Sequence, residues 1–190
     1  MEQSKNWDET ESLQLIRSMI ESTKYQVYSD RFLYFLWGYF TLACAAIHYV
    51  LGYIIGYENP YVVWMIMPVA GGIHFFYIGK KVKSSQVVTF PGRVMQGIWG
   101  GMSMAVIGLV IGAFHVGWEI IYPVFMMLYG VACFTTGAAL QNKYLRLGGF
   151  LSIVLGVIAF YLVFQYQILL LMLAIIVSYI APAHLMKPDK

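Results

Sequence analysis

Charge is scarce in this chain. Asp, Glu, Lys and Arg make up 11% of its 190 residues, whereas hydrophobic residues make up 60%. A soluble domain of this size could not hide so much apolar surface, so the solvent must be lipid. Cysteine is scarcer still. Cys44 and Cys133 both fall inside apolar runs, too few and too buried for a disulfide framework or a zinc cluster, and read as small packing residues. Also missing are a nucleophile–base motif, Gly-x-Ser-x-Gly, His-Glu-x-x-His and a phosphate-binding loop. No catalytic residue, metal site or cofactor is therefore expected, and an enzyme ranks last among the readings. No Asp, Glu, Lys or Arg lies within the apolar runs, which argues against a proton- or sodium-coupled transporter built on charged relays.

What the chain has is a set of apolar runs, at 32–55, 61–78, 94–114, 120–140, 147–164 and 168–186. Each is close to the length a helix needs to cross a hydrocarbon core of about 30 Å. All 12 Lys and Arg residues fall on one side of such a bundle. They sit in the N-terminal arm (Lys5, Arg17, Lys24, Arg31), the connection 79–93 (Lys80, Lys81, Lys83, Arg93), the connection 141–146 (Lys143, Arg146) and the tail (Lys187, Lys190). The other connections carry Glu58 and Glu119 and no base. The positive-inside rule then puts both termini in the cytoplasm. Topology accounts for the net charge of +3, so nucleic acid is not an expected partner. Tyr and Trp gather towards both ends of the runs, as aromatic belts at the headgroups do.

The expected fold is all-α: a polytopic membrane protein with six transmembrane helices over 31–186. Ahead of them stands a cytoplasmic arm, 1–30, with an amphipathic helix over 8–29, and behind them a short tail, 187–190. Asp8 and Glu11 have capping-box spacing, and Leu13, Ile16, Ile20 and Val27 share one face of that helix. Acids outnumber bases in the arm, whereas a helix that binds anionic lipid is normally basic. That face is therefore expected to dock on protein, with adsorption to the bilayer surface as the rival.

Small residues suggest an internal repeat. Gly97, Gly101, Ala105, Gly108 and Gly112 form a stripe along the third run, and the fifth carries Gly148, Ser152, Gly156, Ala159 and Val163 at matching positions. The first run matches with Trp37, Thr41, Ala45, His48 and Gly52. The chain reads as three pseudo-repeated hairpins. Apolar helices gain little by hiding from lipid, so close approach at small residues drives their association. The odd-numbered helices are thus expected to form an inner triangle and the even-numbered ones an outer layer. Such stripes serve contacts between protomers equally well, so a homo-oligomer is a further expectation.

His48 alone interrupts the repeat, where the other copies have Gly108 and Ala159. It reads either as a ligand-contacting or pH-sensing group or as a side chain bonded to a neighbour. Pro68 should kink the second helix just before Gly71 and Gly72. With His74 and His48 it marks where a cavity would lie.

The closing run Tyr179-Ile180-Ala181-Pro182-Ala183-His184-Leu185 resembles the end of a group of small bacterial six-helix membrane proteins, which finish Tyr-Ile-x-Pro-Gly-His-Leu; Ala183 stands here for the glycine. Leu33-Tyr34-Phe35-Leu36-Trp37-Gly38, after an amphipathic arm, is similar to that group's beginning. In its three hairpins the chain is also similar to the HdeD-type acid-resistance membrane proteins. Neither resemblance implies a reaction or a site. Two functions remain as expectations: a sensor, regulator or scaffold that acts by protein association through its N-terminal helix, or a small channel, carrier or apolar-ligand binder with a cavity inside the bundle.

Overall fold

A computed structural model describes residues 10, 12–18, 31–82 and 90–186, and among them no strand occurs. Residues 12–18 are helical, with Leu13 and Ile16 exposed. Most of the expected amphipathic helix, including Ile20 and Val27, and the tail 187–190 lie outside the described residues.

Helix α1, Arg31–Tyr49, continues through a π-helical turn, Val50–Ile55. Gly56 ends it at φ 75°, a left-handed conformation that glycine adopts without strain. A 3₁₀ segment, Pro60–Ile66, leads into α2, Met67–Val82. Pro68 therefore sits in the first turn of α2, where its missing N–H costs least. The helix type changes just ahead of the proline. Then come α3, Phe90–Val116; a 3₁₀ turn, Trp118–Ile120; and α4, Ile121–Ala139. Helix α5 is Lys143–Ala159, and α6, Phe164–Ile175, passes through a second π turn, Ile176–Ile180, into α7, Ala181–Leu185.

Among the described residues, five helical segments are long and apolar enough to cross a membrane: Arg31–Ile55, Pro60–Lys80, Arg93–Val116, Trp118–Ala139 and Phe164–Leu185. The chain is a membrane protein. Helix α5 falls short at 17 residues because it ends earlier than the sequence implied. The turn lies before Phe164, not after it. Two glutamines explain the shift. Gln167 donates from its side chain to the Leu162 carbonyl at 3.0 Å, and Gln165 donates to the Tyr49 hydroxyl at 3.3 Å. The Gln167 amide thus holds the chain entering α6, and the Gln165 amide ties its first turn to α1.

The packing departs from the expected triangle. Helices α4, α5 and α6 form the centre, α1 lies against α6, α2 lies against α1, and α3 lies against α4. Buried residues make up 56% of the apolar stretch within Trp118–Ala139 and 50% of that within Phe164–Leu185, but only 6% of those in α2 and α3. Among the described residues the α3 stripe is open: beyond the helix's own backbone, nothing lies within 4 Å of where a Cβ would stand on Gly97, Gly101, Gly108 or Gly112, and Ala105 is exposed. The α5 stripe is used, but towards α4 and α6. A Cβ on Gly130 would stand 2.7 Å from the Gly149 carbonyl, and one on Gly149 would stand 2.6 Å from the Gly130 carbonyl. Further along the same seam, Gly156 approaches the Pro123 carbonyl, at 2.9 Å by the same measure. Gly148 instead faces the carbonyl of Val177, in the second π turn. Backbones this close gain dispersion along their whole length, which a single stripe with nothing opposite cannot supply. Ser152 adds a hydrogen bond from its Oγ to the Met126 carbonyl at 2.8 Å.

Candidate functional site

Clusters of polar and aromatic side chains stand near opposite ends of the described bundle. At the end where α1 finishes, His48 is 2% exposed. The Trp64 indole stands 2.8 Å from its Nδ1, and the Tyr122 hydroxyl stands 3.0 Å from the same nitrogen. An indole nitrogen only donates, so Nδ1 accepts and the proton of a neutral imidazole lies on Nε2. The Tyr122 hydroxyl then also donates to Nδ1. Its oxygen lies 3.0 Å from the Trp64 nitrogen and shares that hydrogen. Phe164 closes the cluster, stacked on Tyr122 at 5.0 Å between ring centroids and tilted against His48 at 6.0 Å. Four segments meet here: α1, the 3₁₀ entry to α2, α4 and α6.

His74 repeats the chemistry with the helices exchanged. The Trp37 indole of α1 donates to Nδ1 of His74 in α2 at 3.0 Å. Helices α1 and α2 are antiparallel neighbours, and the Trp–His spacing along each is nearly the same. Each tryptophan therefore finds the other helix's histidine. An indole N–H left bare in hydrocarbon costs several kcal/mol, so two reciprocal pairs hold the hairpin in register.

The opposite end is an aromatic hub. Tyr179, in the second π turn, is 3% exposed and touches Tyr34 of α1 at 5.7 Å, Trp99 of α3 at 5.9 Å and Tyr129 of α4 at 5.3 Å. Tyr34 and Trp99 meet edge to face at 5.8 Å. The wider π turn and the glycine at 148 go together, because Gly148 leaves room for the Val177 carbonyl that the turn pushes outward.

This hub continues into a join between the two ends of the described bundle. The Tyr39 hydroxyl lies 2.8 Å from Nε2 of His184, and the Phe35 ring lies 4.8 Å from the His184 ring. Gly38 packs on Ile180 and Tyr179, so closely that a Cβ there would stand 2.9 Å from Cγ1 of Ile180. Arg31 donates from Nη1 to the Met186 carbonyl at 2.8 Å. The two short motifs quoted from the sequence, 33–38 and 179–185, are therefore one contact in three dimensions. Comparison with family models, curated proteins and solved structures returns no match for this chain.

The sequence-derived candidates separate. His48 and His74 occupy different pairs, and Pro68 is exposed on α2 beside neither. Among the described residues, no three His, Cys, Asp or Glu side chains come together as a metal site. Sequence reasoning missed Trp64 and Tyr122 as partners of His48, since both resembled belt anchors. The matched Trp–His spacing on the first two runs was the available signal.

Proposed function

We propose that this chain is a non-enzymatic protein of the bacterial inner membrane that acts by protein association, with the N-terminal arm as its recognition element. The observation that carries the proposal is the Arg31–Met186 bond at the foot of α1. The arm enters the bundle at that residue, so a load on the arm reaches the first and last helices together. Leu13, Leu15 and Ile16 are 64%, 42% and 53% exposed in the described part of the arm, which supports an apolar face awaiting a partner. Deleting residues 1–28 should abolish recovery of partners with the tagged protein while the bundle still inserts. Unchanged recovery would overturn the proposal.

In this reading α5 is a sixth crossing, completing three hairpins with both termini in the cytoplasm. Its 17 residues reach about 26 Å at 1.5 Å each, and the turn after Ala159 adds the remainder. The placement of every Lys and Arg supports the same orientation. A second copy of the chain is a further partner, supported by the open α3 stripe. A solute path past His48 has less support, because Trp64 and Tyr122 occupy its Nδ1 and Phe164 covers its ring.

A further inference from the structure

The turn joining α4 to α5 is tight, with Gln141 at φ 54° and the side chain of Asn142 accepting from the backbone N–H groups of Tyr144 and Leu145 at 3.0 and 3.1 Å. Immediately beyond it lies an open cleft of about 470 Å³, lined by Phe134 of α4 and by Lys143, Tyr144, Arg146, Leu147 and Phe150 of α5. All six side chains are exposed. Lys143, Arg146, Leu147 and Phe150 recur at helical spacing and so share one face. Their order matters. Two cations stand at the helix start, and apolar side chains follow over the next 10 Å or so towards the bundle interior.

We propose that this cleft binds an anionic phospholipid, with the phosphate at Lys143 and Arg146 and an acyl chain along Leu147, Phe150 and Phe134. The guanidinium fork of Arg146 suits two phosphate oxygens, and the ammonium of Lys143 adds a point charge. Tyr144 has the amphipathic ring favoured at headgroup depth, with Nζ of Lys143 5.1 Å from its centroid. Among the described residues no carboxylate competes. The described acids are Glu58 and Glu119, both in connections at the other end of the bundle. The 19 residues of α4 put Glu119 about 28 Å away. The inference depends on the α4–α5 turn lying at the membrane edge, and goes beyond the role proposed for the arm. A basic pocket at the cytoplasmic ends of spans is a known form of headgroup site.

The test is native mass spectrometry of the full chain in neutral detergent, titrated with phosphatidylglycerol and, separately, with phosphatidylcholine. Phosphatidylglycerol should bind preferentially. The double variant Lys143→Gln/Arg146→Gln should lower its affinity by about 30-fold, the worth of two interfacial cations. The charge-keeping Lys143→Arg/Arg146→Lys should retain binding, as should Arg93→Gln, which removes an exposed cation on α3. Equal binding of the two lipids would overturn the proposal. So would unchanged affinity in the double glutamine variant, or an equal loss with Arg93→Gln. Displacement of phosphatidylglycerol by inorganic phosphate alone would assign the cleft to a free anion and overturn the lipid.

Discussion

The Trp64 indole nitrogen lies 2.8 Å from Nδ1 of His48, inside a cluster that also takes in Tyr122 and Phe164. His48 is thus an acceptor for the Trp64 indole, alongside the Tyr122 hydroxyl at 3.0 Å. This pair and its counterpart, Trp37 with His74, have an energetic consequence. In a double-mutant cycle with Trp64→Phe and His48→Ala, the coupling should be about 1 kcal/mol in detergent unfolding, the scale of interhelical hydrogen bonds in membranes. Strict additivity of the two losses would contradict the bond.

The glycine seam gives a contrast between two sets of glycines that look alike in the sequence. Gly149→Ala drives a methyl into the α4 backbone at Gly130 and Phe134, and should cost about 1–3 kcal/mol or more. Gly101→Ala meets open space and should be neutral, or stabilising by up to about 1 kcal/mol through helix propensity. Thermal unfolding of the two variants side by side would check this. A costlier Gly101 change would show that the α3 stripe is packed.

Two serines make a similar comparison. Ser152 bonds across to the Met126 carbonyl, whereas Ser103 bonds back to the Trp99 carbonyl of its own helix at 2.8 Å. Ser152→Ala should lower stability by about 1 kcal/mol, and Ser103→Ala should leave it within error. Equal effects in a denaturant titration would count against the cross-helix role of Ser152.

Tyr179 holds rings from α1, α3 and α4 at once. Tyr179→Ala should cost about 3 kcal/mol by the usual scale for a truncated buried ring. Trp99 is one of the main side chains tying the otherwise peripheral α3 to this hub, so α3 should loosen most. Amide exchange in the variant should rise in α3 before it rises in α4 and α5. Uniform exchange across the helices would argue that Tyr179 is no hub.

Much of the helical architecture was legible because hydrocarbon thickness and charge leave few alternatives. The first four runs match helical segments to within a few residues. The α5–α6 boundary was not legible, since Gln165 and Gln167 look like loop residues until their amides are seen bonding Tyr49 and the Leu162 carbonyl. The layer order was misread for a different reason. A periodic glycine stripe says that a face is able to pack closely, but not which helix lies opposite. The sparser Gly130 and Gly137 of α4 meet α5, while the fuller stripe of α3 meets nothing among the described residues. The polar pairs depended on antiparallel register, which the first two runs carry in their Trp–His spacing. The join between motifs 33–38 and 179–185 needed the three-dimensional fold, because nothing along the chain links its two ends.

Cysteine proximity in native membranes tests that join most directly. With Cys44 and Cys133 replaced, a chain carrying Tyr39→Cys and His184→Cys should react efficiently with a short bifunctional thiol reagent, since those two side chains meet at 2.8 Å and both are exposed. A chain carrying Gly101→Cys and Ser152→Cys, which would face each other in an inner triangle, should not. Crosslinking of the second pair and not the first would contradict the account.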